Sequence, residues 1–81
     1  MENQQVEELI RAGLPGCEVT VTGDGRHFEA IVVSAEFEGK SPLQKQRMVM
    51  ATVKPQIESD ELHALSIKTF TPDQWAAGNR S

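Results

Sequence analysis

Two histidines, His27 and His63, are the only imidazoles in this chain of 81 residues, and each opens a segment that reads as a β-strand. Neutral imidazole is a good ligand for iron, zinc or copper, so two of them brought to one place would make half of a metal site. A closed structural zinc site takes four protein ligands. The one cysteine, Cys17, begins the strand before His27, which puts it at the far end of any hairpin the two strands form. A metal here would therefore need ligands from another molecule. The alternative reading is that both histidines are ordinary surface strand ends.

Other chemistries find less support. There is no Gly-x-Ser-x-Gly elbow and no Cys–His pair in register for nucleophilic catalysis. Gly23-Asp24-Gly25 lacks the third glycine, or the Gly-Lys-Ser/Thr, of a phosphate loop and reads as a turn. No enzymatic activity is expected. Nothing around Cys17 would lower its pKa, so it reads as a small buried strand residue.

Charge is unevenly spread. The formal net charge is −4. Residues 1–38 carry eight acids and two bases, residues 39–57 carry Lys40, Lys45, Arg47 and Lys54 with no acid, and residues 58–81 carry four acids and two bases. The middle segment is the one candidate basic surface, either a solvated helix face or a nucleic-acid patch, on a chain whose overall charge repels phosphate at long range. The start of the chain lacks the basic and apolar regions of a signal peptide, and no apolar run approaches the roughly 20 residues of a membrane span. The expected compartment is the cytoplasm, where a single free cysteine is at home.

The elements that must position the histidines can be read in order. Val6, Leu9 and Ile10 at helical spacing predict a helix over 3–12, with Gly13 as its left-handed stop before Pro15. Residues 17–22 alternate apolar and polar and 27–34 are rich in Ile and Val, so the Gly-Asp-Gly between them predicts a hairpin. Residues 35–40 read as a loop. Ser41-Pro42-Leu43-Gln44 is a capping box with proline at the first helical position, and Pro55 splits the helical segment into pieces at 42–51 and 53–59. Leu43, Met50, Val53 and Ile57 are expected on the buried face. Strand 64–70 comes next, with Leu65 and Ile67 inward, and Thr71-Pro72-Asp73-Gln74 starts a closing helix that carries Trp75 back onto the sheet.

The order α-β-β-α-α-β-α predicts an α+β fold in which a helical crossover makes strands 27–34 and 64–70 parallel neighbours. Their starts then share one sheet edge, ~5 Å apart by strand spacing, and those starts are His27 and His63. A single domain over 1–77 with a frayed tail at 78–81 is expected.

The stretches Gly-Asp-Gly-Arg-His-Phe (23–28), Ala-Glu-Phe-Glu-Gly-Lys-Ser (35–41) and His-Ala-Leu-Ser-Ile-Lys-Thr-Phe-Thr-Pro-Asp-Gln-Trp (63–75) closely resemble the BolA family, in particular its short IbaG (YrbA)-like branch. The resemblance runs in order from residue 1 to about 77. It implies the type II KH-like BolA fold, with a three-stranded mixed sheet covered by helices. For function it implies a non-enzymatic partner of monothiol glutaredoxins that shares a 2Fe-2S cluster in iron-sulfur trafficking and iron homeostasis. The glutaredoxin cysteine and glutathione would ligate one side, His63 and His27 the other, and the isolated chain would hold no cofactor and be a monomer or weak homodimer. The family also suggests DNA as an alternative partner, met by Lys40, Lys45, Arg47 and Lys54 in a transcriptional regulator, and a third option is an adaptor that binds glutaredoxin without sharing metal. This chain has a shorter hairpin connection than the longer members, Met50 where an aromatic is frequent, a helix at 42–47 that is not Arg/His-rich, and no Gly-x-x-Gly clamp of the RNA-binding KH domains.

Overall fold

The first helix begins where Glu2 and Gln5 cap one another, the Glu2 amide donating to Gln5 Oε1 at 2.7 Å. The structure, a computed structural model, describes residues 1–78. Its elements are α1 (Asn3–Gly13), β1 (Glu18–Gly23), β2 (His27–Val33), a single 3-10 turn (Ala35–Phe37), α2 (Pro42–Thr52), α3 (Lys54–Glu58), β3 (Ala64–Phe70) and α4 (Pro72–Gly78). The chain is α+β, in the order read from the sequence. The tail expected at 78–81 begins with Gly78, which closes α4; residues 79–81 lie outside the described residues.

The sheet order is β1-β2-β3. β1 and β2 are antiparallel with Val21 opposite Ala30, and β2 and β3 are parallel with Ala30 opposite Ile67. Val19, Val21, Phe28, Ala30 and Val32 therefore face one side, and all are buried. Helices α1 and α2 cover that side, contributing Val6, Ile10, Val49 and, at the end of α2, Val53, each without exposed surface. On the other face of the sheet β2 and β3 carry His27, Glu29, Ile31, Ser66 and Lys68, and Lys68 lies 3.8 Å from Glu29. Trp75 of α4 folds back to the end of β3, its ring 5.2 Å from that of Phe70.

Capping boxes form at the starts of both α2 and α4. Ser41 Oγ accepts from the Gln44 amide at 3.1 Å while the Ser41 amide donates to Gln44 Oε1 at 2.8 Å. Thr71 and Gln74 repeat this at 3.2 and 2.9 Å. Each pair satisfies helix amides that have no partner within the helix.

Three local expectations are corrected. Gly13 is not a left-handed stop: the positive φ belongs to Gly16, at 84°. Gly13 is instead the last residue of α1, and a Cβ there would overlap the side chain of Thr52 at the end of α2, so it is small because two helices meet. Leu43 is 56% exposed and Val49 is fully buried, so the inward stripe of α2 takes in Val49 and leaves out Leu43, while Val53 is buried and Ile57 packs against the core as expected. The segment 35–40 is not an unstructured loop, because its 3-10 turn drives Phe37 wholly into the core, with Ser34 Oγ accepting the Glu36 amide at 3.1 Å.

Candidate functional site

His27 is presented by a turn with little freedom. Asp24 Oδ1 accepts the backbone amides of both Arg26 and His27 at 2.9 Å, and the Asp24 amide donates to the His27 carbonyl at 3.3 Å. Gly25 takes φ 97°, a conformation that favours glycine, and a Cβ on Gly23 would run into the His27 carbonyl. The amide of His27, and next that of Arg26, hold the Asp24 carboxyl below its ordinary range, and the His27 ring adds a smaller pull. These contacts favour the ionised, acceptor-only form of the carboxylate.

His63 is presented differently. After α3 the chain turns through Asp60 at φ 65°, and Leu62, only 1% exposed, plugs into the core while its amide donates to the Gln56 carbonyl at 3.0 Å. Ala64 then enters the sheet opposite His27. His63 is thus held between a buried anchor and a paired strand, itself exposed and, among the described residues, without a side-chain hydrogen bond or ion pair.

The two histidines lie at the same end of the sheet, as the strand order requires. They are not direct partners: the register sets His27 against Ala64, so His63 precedes by one residue, and strand spacing with one residue of rise puts the two backbone positions about 6 Å apart. Among the described residues no group of three or more His, Cys, Asp or Glu could hold a metal ion. Two exposed histidines therefore stand at one end of the sheet, one residue out of register, with His63 lying just before the first residue of β3. Cys17 lies at the other end of the sheet, next to the Glu18–Val33 pair. It is buried, and burial pushes its thiol pKa up, against smaller opposing pulls from Arg11 and its own amide.

The four basic residues of the middle segment do not form one surface. Arg47 and Lys54 line a groove with an apolar floor of Met50, Ala51 and Ile57, together with Glu58. Lys45, two residues before Arg47, points about 200° away around the helix and lines a separate hollow with Pro42, Thr69, Phe70 and Gln74. Lys40 is exposed in the connection before α2, its amide donating to the Phe37 carbonyl at 3.1 Å.

Two residues that shape the histidine end escape a reading of the sequence. Asp24 reads there only as turn chemistry, although an aspartate three residues before a strand's first residue is a usual signature of a side chain that receives the strand's first amides. Leu62 is one apolar residue between Glu61 and His63, and a lone apolar residue has no periodicity to betray it.

A family model for BolA-like proteins matches residues 10–74. The acid stress protein IbaG of Escherichia coli is 40% identical over 76 residues, which is 94% of this chain and 90% of that protein. BolA-like protein 1 of Bos taurus is 45% identical over 73 residues, 90% of this chain and 52% of that longer protein. The solved structure of a BolA homologue from Coxiella burnetii superposes with a TM-score of 0.85 at 38% identity, covering 94% of this chain and 97% of that one. The BolA domain of SufE1 from Arabidopsis thaliana gives 0.76 at 28% identity, covering 88% and 92%. In sequence, in element order and in three-dimensional structure, the chain belongs to the BolA-like family.

Proposed function

We propose that this BolA-like chain is a non-enzymatic partner of a monothiol glutaredoxin, with which it shares a 2Fe-2S cluster during iron-sulfur assembly and trafficking. The observation that carries the reading is the pair of exposed imidazoles, His27 and His63, at one sheet end with no third metal-capable side chain grouped with them among the described residues. Such a half-site fits a cluster whose other iron is held by the glutaredoxin cysteine and glutathione. When bound, a cluster with imidazole in place of thiolate on one iron has a raised reduction potential. Among the described residues nothing hydrogen-bonds the His63 ring, which leaves it available to a metal. The reading assigns the protein to the cytoplasm, where Cys17 stays a free thiol. Among the described residues no helix is long and apolar enough to cross a membrane.

The test is the visible absorption and circular dichroism of a cluster-loaded monothiol glutaredoxin before and after adding this protein, with calorimetry in parallel. A changed spectrum that needs His63 supports a shared cluster. Binding with an unchanged spectrum supports an adaptor that shares no metal, and no binding overturns the glutaredoxin reading.

A second reading, a DNA-binding regulator, draws its support from Arg47 and Lys54 sharing one groove. Binding to duplex DNA would then weaken steeply with salt, because neutralised phosphates release counterions. The absence of binding at low salt removes it.

A further inference from the structure

The turn before β2 does more than reverse the chain. Asp24 Oδ1 receives both the Arg26 and His27 amides at 2.9 Å, and the Asp24 amide returns to the His27 carbonyl at 3.3 Å. The two backbone polar groups of His27 are thereby both tied to one residue. Gly23 allows this close approach, since a Cβ there would meet the His27 carbonyl and come within 3.0 Å of Phe28 Cα. The next residue, Phe28, is 3% exposed, so the backbone of His27 is fixed on both flanks while its ring stays in solvent. The Asp24 side chain itself is exposed, and holding the amides of Arg26 and His27 is what its hydrogen bonds accomplish.

We infer that Asp24 is a positioning residue for His27, holding the imidazole where it can reach a metal group anchored on a docked partner. The inference rests on the shared-cluster reading and deepens it. A ligand on a free loop loses orientational entropy each time it binds, whereas a ligand whose backbone is already fixed does not. Residues that orient metal ligands without touching the metal typically contribute ~10–100-fold to metal affinity. Asp24 meets this description through the backbone of its histidine and not through the ring nitrogen.

The experiment uses the full chain with a 2Fe-2S-loaded monothiol glutaredoxin and reads the cluster's circular dichroism bands and its lifetime under a competing chelator. Wild type, His27→Ala, Asp24→Ala and Asp24→Asn are compared, with far-ultraviolet circular dichroism and calorimetric binding to confirm that each variant folds and docks. Asp24→Ala is expected to shift the bands toward those of His27→Ala and to shorten the lifetime about tenfold. Asp24→Asn keeps an oxygen acceptor at the same place and is expected to restore both. Should Asp24→Ala match wild type while His27→Ala does not, or should Asn fail as Ala does, the positioning role is overturned. If wild type itself leaves the glutaredoxin spectrum unchanged, the shared-cluster reading fails, and that result is distinct from the others.

Discussion

Glu7 of α1 places its carboxylate oxygen 3.0 Å from the backbone amide of Val21 in β1. β1 is an outer strand, and Val21 lies opposite Ala30 with its amide turned away from β2, so the helix carboxylate closes a donor that the sheet leaves open. Glu7 is also bonded to Arg11 at 3.4 Å, one turn along α1. Removing the carboxylate leaves a part-buried amide without a partner. Glu7→Ala is expected to cost about 1–3 kcal/mol in urea denaturation, and Glu7→Gln, which keeps an acceptor, clearly less.

Gly13 and Thr52 set how closely α1 and α2 approach. A Cβ at Gly13 would overlap the Thr52 side chain and lie 2.9 Å from its Cβ. Gly13→Ala should therefore destabilise the fold by ~1–3 kcal/mol, although alanine is the better helix former. Thr52→Ala in the same chain removes the methyl that clashes and should recover part of the loss. A double-mutant cycle by thermal denaturation reads this coupling, and simple additivity would contradict it.

Leu62 holds the chain immediately before His63. Its full burial predicts a loss of about 2–5 kcal/mol for Leu62→Ala, the cost of transfer and of the cavity left behind. The signals of His63 and Ala64 should shift in nuclear magnetic resonance spectra of the variant, because the anchor that precedes them is gone.

His63 itself is exposed and its ring makes no hydrogen bond or ion pair among the described residues, so it contributes little to the fold. His63→Ala is expected to stay within about 0.5 kcal/mol of wild type in stability while abolishing the cluster spectrum formed with a glutaredoxin. A large loss of stability would show instead that the ring has a structural partner.

Cys17 gives the pH dependence. Burial raises its thiol pKa above the ordinary 9.0, so the fold favours the protonated form. The resulting stability is fully present below the unfolded value and is lost as pH rises through the folded one. Labelling by a thiol reagent at about pH 8, just below the ordinary thiol pKa, should accordingly be slow in the folded protein and fast in urea, and denaturation midpoints should fall on the alkaline side.

Much of the fold is legible in local pattern. The two capping boxes at Ser41 and Thr71, the turn at 23–25, the break at Pro55 and the strand alternation each depend on residues within a few positions of one another, and all of them form. The strand order follows from connection lengths, which bring His27 and His63 to one sheet end. Where local pattern misleads, the deciding contact is distant in sequence. Gly13 answers to Thr52, and Leu43 yields to Val49 because the sheet, and not the helix, chooses which stripe of α2 turns inward.

By itself, then, the sequence determined the element types, their caps, the hairpin and the presence of two histidines at strand starts, since these follow from backbone sterics and short-range hydrogen bonds. Tertiary structure alone decided the one-residue offset that pairs His27 with Ala64 and the division of Lys45 from Arg47 and Lys54. Register and helix rotation are set by the packing of a shared core, where a single residue step moves every side chain to a new neighbour, and no local pattern carries that information.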